Sequence, residues 1–190
     1  MINSRLSAVL SRFLRDRTMR SFCGIASAAC AADLLTKEIA VRALGEDGWY
    51  TISERLSLTL VWNTGVTGGT SLGPYTWLLN VGITVLALGL IMTVVRAMAG
   101  ADRRSTLALG LVSGGALGNL ASIVAGPEGV ADFLAVRMSE DLTIVANVAD
   151  LFLWSGALAL APVFATIVRM VRAERAMRAA RGVAVEAELA

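Results

Sequence analysis

The chain has 190 residues, of which 56% are hydrophobic and 17% charged, with a formal net charge of +2 and no histidine. A soluble domain carries about 25% charged residues, so this balance excludes a disordered chain, a nucleic-acid module and an ordinary soluble enzyme. It points to an integral membrane protein. Without histidine, a Ser-His-Asp triad, a Cys-His dyad and any His-ligated metal site are excluded, and no cofactor is implied. Cys23 and Cys30 are too few for a Cys₄ site. On a helix they are separated by about 10 Å of rise, too far for a disulfide.

Residues 2–14 place Ile2, Leu6, Val9, Leu10, Phe13 and Leu14 on one helical face, the pattern of an amphipathic helix on the inner membrane surface. A simple tail fits residues 1–20 equally well. The basic stretch is too long, and the apolar run behind it too charged, for a cleaved signal peptide. Four stretches then approach the roughly 20 residues that a span requires: 21–41, 76–95, 106–125 and 142–168. The sequence thus predicts an all-α integral membrane protein, with a four-helix body over 21–168 and a helical cytoplasmic tail over 169–190.

Arginine sets the orientation. Thirteen basic residues lie before the first span, between the second and third, or after the fourth; only Arg42, Arg55 and Arg137 lie in the other two loops. The positive-inside rule therefore predicts cytoplasmic termini, with loops 42–75 and 126–141 outside. In the first of these loops Leu56, Leu58, Leu60 and Trp62 alternate with Ser57, Thr59 and Val61, which predicts a strand with one apolar face. Gly65, Gly68, Gly69 and Gly73 mark a turn region after it. A small β-rich subdomain on the outer surface follows, with Trp49, Tyr50, Trp62, Tyr75 and Trp77 at headgroup depth.

An ionisable group at a span centre costs about 2.5–3.5 kcal/mol, so each needs a reason. At 1.5 Å per residue, Asp33 lies about 13 Å from the outer end of span one, and Lys37 and Glu38 nearer. Asp150 lies about 12 Å below the outer end of span four, Asn147 about 8 Å, Asn119 about 9 Å and Asn80 about 6 Å below theirs. All fall in the outer half, and Asp132 lies on the loop above. Asp33 and Lys37 at i,i+4 also suit an intrahelical pair, and the asparagines suit interhelical glue. Gly110, Gly114 and Gly118 repeat every four residues, with Gly115 adjacent; this face permits close helix packing.

Two carboxylates without histidine, metal or another nucleophile suggest one chemistry. If Asp132 and Asp150 come within about 3 Å, they share a proton. The ionised member can then take a proton from water while the protonated member polarises a carbonyl, as in aspartyl peptide hydrolysis.

The separated blocks in this chain resemble the bacterial lipoprotein signal peptidases, the signal peptidase II family. Asp33-Leu34-Leu35-Thr36-Lys37 is similar to that family's D-x-x-T-K block and Asn63-Thr64-Gly65 to its N-x-G block. Gly114-Gly115-Ala116-Leu117-Gly118-Asn119-Leu120 reads as its G-G-A-L-G-N-L. Gly129 to Leu134 resembles G-x-V-x-D-F, and Asn147-Val148-Ala149-Asp150 resembles N-x-A-D. The resemblance implies a membrane-embedded aspartyl endopeptidase of the bacterial inner membrane that cuts diacylglyceryl-modified prolipoproteins before the lipidated cysteine. It places the catalytic pair on Asp132 and Asp150, and the supporting positions on Asp33, Lys37, Asn63, Gly65, Gly115, Asn119 and Asn147. The implied partners are the lipidated prolipoprotein and membrane lipid, with no nucleic acid. Two blocks depart from the pattern. Ser122 and Ile123 stand where the family has an Asp-Arg pair, and Val66-Thr67-Gly68-Gly69 replaces A-A-F-S. These departures keep open a non-catalytic relative that binds a lipidated or membrane partner as a complex subunit. A small carrier using Asp33, Lys37 and Asp150 as a relay is a weaker reading, because no inverted repeat is visible.

Overall fold

The computed structural model describes residues 16–45, 48–64, 73–126 and 129–189. The amphipathic segment at 2–14, and Gly65, Gly68 and Gly69 of the turn region, lie outside them. Helix α1 spans Arg17–Leu44, capped by Asp16, whose carboxylate accepts from the backbone of Thr18 and Met19. Strands β1 (Trp49–Thr51) and β2 (Leu56–Asn63) follow, then a 3₁₀ turn at Gly73–Tyr75. Helices α2 (Thr76–Ala101) and α3 (Arg104–Ala125) form a hairpin. Strands β3 (Val130–Arg137) and β4 (Thr143–Ala146) lead into the long helix α4 (Val148–Leu189).

Among the described residues, three helical stretches are long and apolar enough to cross a membrane: α2, α3 and Val148–Arg178 of α4. The first predicted span is a helix, and longer than expected, but Asp33, Lys37 and Glu38 make it the least apolar of the four. The fourth predicted span begins later than expected. Thr143–Ala146 is a strand, because Thr-Ile-Val favours a pleated surface, and Asn147 supplies the cap at which the helix can start. Asp150 therefore sits in the first turn of α4, not 12 Å down a helix that begins at Leu142. The segment expected to be a loop carries a strand over Val130–Arg137. Asp132 is held on β3.

The helices pack through bare backbone. A Cβ at Gly110 would meet Ile25, and one at Gly114 would meet Ala29 Cβ at 2.5 Å and Ala26 O at 2.6 Å, so these glycines let α1 lie against α3. Gly115 faces the other way, where a Cβ would meet Ala149 O at 2.5 Å on α4. Gly156 repeats this lower down against Ala108 and Val112. The small-residue face read from sequence thus serves two interfaces, as close packing in a membrane requires. By contrast, α2 buries only Thr76 and Val95 among its described side chains.

The four strands form one antiparallel sheet in the order β1-β2-β3-β4. Leu58 pairs with Leu134, but Val61 pairs with Asp132, so β2 carries one extra residue between them. This bulge interrupts the predicted alternation. Leu56 and Leu58 share a face with Val61 and Asn63, while Leu60 and Trp62 turn to the other face. There, Leu60 joins Ala131, Phe133, Ala40 and Leu44 in the cluster that seats the sheet on the end of α1. Of the expected interfacial aromatics, Trp49, Tyr50, Tyr75 and Trp77 are exposed and Trp62 is half-buried. Helix α4 continues into the basic tail as expected, with Arg178 Nη2 donating to Glu174 Oε1 at 2.6 Å.

Candidate active site

The polar groups of α1, α3, β2, β3 and α4 meet in one hydrogen-bonded chain. Lys37 Nζ donates to Asp33 Oδ2 at 2.7 Å and to Asn119 Oδ1 at 2.6 Å. Asn119 Nδ2 donates to Asp150 Oδ1 at 3.2 Å. The backbone N–H of Asn147 donates to Asp150 Oδ2, and the N–H of Asp150 donates to Asn147 Oδ1, both at 3.1 Å. Asn147 Nδ2 then reaches Asp132 Oδ1 at 2.5 Å, while Asn63 Nδ2 donates to Asp132 Oδ2 at 3.0 Å. One continuous line thus runs from the inside of α1 to the sheet.

Local chemistry explains why these residues take these places. The reciprocal Asn147/Asp150 bonds are a capping box, here with an aspartate at the third helical position. They satisfy two backbone donors at the start of α4 and fix the Asp150 carboxylate. Asp33 Oδ1 accepts a third donor, the N–H of Ala149, at 2.8 Å from another helix. An anion is favoured at a helix N-terminus, so Asp33 serves both the Lys37 pair and the end of α4. Gly118 makes the room: a Cβ there would collide with the Asp33 carboxylate. Gly129, at φ +95°, lies so close to the backbone oxygen of Asn63 that only glycine fits, and this holds the end of β2 against the start of β3.

Asp33, Lys37, Asp132 and Asn147 are buried, with residue exposures of 0, 5, 4 and 1%. Buried charges persist only when paired and bonded; Asp33 and Lys37 meet both conditions, whereas Asp132 accepts from two amides and has no cation in the described bonds. Burial pushes the Asp132 carboxyl above its ordinary range. The bonds from Asn147 and Asn63 pull it back, and the Asp150 charge pushes it up again. Asp150 is half-buried. Asn147 bonds both aspartates, through its backbone N–H to Asp150 and through Nδ2 to Asp132, and the Asp150 charge is felt at Asp132.

Of the residues singled out from sequence, Asp33, Lys37, Asn63, Asn119, Asp132, Asn147 and Asp150 are brought together. Gly115 sits beneath them at the α3–α4 contact, and Gly65 lies outside the described residues. Asn80 faces a cavity of about 480 Å³ whose lining includes Asn63, Thr64, Trp77 and Ile123. This volume falls within the usual range for ligand sites. Ser122 Oγ bonds back to Gly118 O at 3.1 Å, and Ile123 gives the cavity an apolar wall. Sequence reasoning missed the backbone N–H of Ala149 and the contact of Gly129 with Asn63. Only the glycine itself hinted at the latter.

Residues 25–166 match the family described as signal peptidase (SPase) II. A curated lipoprotein signal peptidase of Rhodococcus jostii (strain RHA1) is 45% identical over 101 residues, a match covering 50% of this chain and 47% of that protein. The match thus spans about half the length of that relative. A solved structure described as a bacterial membrane enzyme superposes with a TM-score of 0.67 at 21% identity, covering 81% of this chain and 89% of that one. A second, with the same description, gives a TM-score of 0.65 at 23% identity, covering 75% and 90%. At these identities the likeness carries the fold alone.

Proposed function

We propose, from the premise that this chain belongs to the signal peptidase II family, that it is a membrane-embedded aspartyl endopeptidase. Its substrate is a diacylglyceryl-modified prolipoprotein, cut immediately before the lipidated cysteine. The observation that carries this is the bonded line from Lys37 to Asn63, with Asp132 and Asp150 on either side of Asn147.

Asp132 and Asp150 are the catalytic pair. Asp132, more deeply buried and with its carboxyl raised above the ordinary range, is the member that holds a proton and polarises the scissile carbonyl. Asp150, the more exposed, takes a proton from the attacking water. As the tetrahedral intermediate collapses, the carbonyl re-forms, the C–N bond breaks and Asp150 passes the proton it took from water to the leaving amine. Asn147 keeps the two carboxylates in register, and Asn63 supports Asp132 from β2. Asn119, Lys37 and Asp33 tie Asp150 to the helix bundle, and Gly115 lets α4 approach α3. Gly65 belongs to the same supporting set by its place in the sequence block.

The membrane arrangement belongs to the same proposal. Helix α1, 28 residues long, extends about 42 Å and serves as a fourth span. Its buried acid and base neutralise one another and face α3 and α4 instead of lipid. Arg17, Arg20, Arg96, Arg103, Arg104 and Arg169 lie at the helix ends away from the sheet, against Arg42, Arg55 and Arg137 beside it; on the positive-inside rule both termini lie in the cytoplasm and the site opens toward the outer face of the bacterial inner membrane.

The test is cleavage of a synthetic diacylglyceryl prolipoprotein peptide by the purified chain in lipid nanodiscs, read by mass. The expected product ends at the residue before the lipidated cysteine, and a peptide with a free cysteine thiol is spared. Absence of any cut, together with a co-purifying stoichiometric partner, would favour a non-catalytic subunit instead. Ser122 and Ile123, in place of the family's charged pair, are the feature behind that second reading.

A further inference from the structure

Strand β4 lies at the edge of the sheet and, among the described residues, pairs with β3 alone. Edge strands are normally blunted by charge, proline or a bulge, because their free backbone groups invite pairing. Thr143-Ile144-Val145-Ala146 carries none of these. The strand also ends one residue before Asn147, which bonds both aspartates.

The pairing pattern identifies the free groups. Met138 N donates to Leu142 O at 2.8 Å where the β3–β4 hairpin opens. Bonded and non-bonded pairs alternate in an antiparallel ladder. The bonded pairs are therefore Val136–Ile144 and Leu134–Ala146, and the backbone groups of Thr143 and Val145 point away from β3. Among the described residues, no hydrogen bond to those outward groups is found.

We infer that the edge of β4 is the docking strand for the substrate, which adds to it as an extended antiparallel segment. This rests on the peptidase reading above. β4 runs inward from the hairpin to Asn147, so a chain leaving the site outward runs antiparallel to it. The segment that pairs is the stretch following the lipidated cysteine. In this geometry two substrate residues, two apart, each exchange a pair of main-chain hydrogen bonds, first with Val145 and then with Thr143. Strand addition of this kind draws affinity from backbone groups and tolerates varied side chains.

The experiment is an N-methyl scan of a labelled diacylglyceryl peptide, read as Kd on the full chain in nanodiscs. Binding is measured apart from cleavage, so a chain that binds without cutting would refute the catalytic reading and leave the edge intact. Two methylated positions with one between them should each weaken binding by up to about tenfold, and the intervening position should not. Val145→Pro removes one outward N–H and no bond to β3; it should weaken binding of the unmethylated peptide with the melting temperature unchanged. Ile144→Pro, which breaks the ladder, should lower the melting temperature. A flat scan, or one in which consecutive positions weaken binding equally, would overturn the inference. So would a folded Val145→Pro variant of unchanged affinity. The scan uses the unmodified protein and stands even if that variant unfolds.

Discussion

Lys37→Met should be among the most damaging single changes to stability in this protein. The Lys37 ammonium and Asp33 carboxylate are 2.7 Å apart, with side-chain exposures of 6% and 0%. Removing the cation leaves the Asp33 charge with one described partner, the N–H of Ala149, and strips Asn119 Oδ1 of its donor. Breaking a buried pair from one side costs about 3–5 kcal/mol. For a chain of this size that lowers Tm by roughly 6–20 °C. Asp33→Asn should cost a similar amount by orphaning Lys37, although its amide oxygen can still accept from Ala149. The double variant removes both charges together, so its loss should fall short of the sum by about 2–3 kcal/mol. Reversible unfolding in mixed detergent micelles, run as a double-mutant cycle, measures this directly. Losses that add within about 0.5 kcal/mol, or a Lys37→Met cost near the 0–1 kcal/mol of a surface pair, would refute the argument.

Other changes follow from the same geometry. Gly118→Ala places a methyl group against the Asp33 carboxylate and should destabilise by about 1–3 kcal/mol, measured in the same unfolding assay. Asn147→Ala removes the cap of α4 and a donor to Asp132; a loss of about 1–2 kcal/mol in stability should come with a much larger loss of cleavage. Because the Asp132 carboxyl is raised above its ordinary 3.8, the folded state holds more protons than the unfolded one between that value and the raised one. Stability contributed at this position therefore falls as pH rises through that window. In Asp132→Asn that slope should vanish, which Tm measured across pH will show.

Much of this protein is legible in its sequence because membrane burial makes polar residues conspicuous. Asp33 and Lys37 stand out at i,i+4 in an apolar run, and their pairing follows from that spacing. The glycines of α3 announce a close contact, though only the structure assigns Gly114 to α1 and Gly115 to α4. The sheet is harder to read. The eight residues Val130–Arg137 sit between turn segments and look like a loop, because their strand character depends on pairing with β2, a partner far away in sequence. The bulge near Leu60 is equally silent: a regular alternation continues through it in the sequence, while the backbone steps by one residue and turns Asn63 toward Asp132. Composition places the start of α4 too early because Leu142-Thr143-Ile144-Val145 is as apolar as a helix, whereas Thr143–Ala146 is a strand. Only the cap at Asn147 distinguishes the two.

The most direct measurement compares the unmodified chain with Asp132→Asn and Asp150→Asn on the diacylglyceryl prolipoprotein peptide, at matched folding in nanodiscs. Each substitution should reduce kcat by at least the 10²–10⁴-fold typical of lost general acid–base catalysis, while the peptide still binds. Cleavage at an unchanged rate by either folded variant would contradict the aspartyl mechanism.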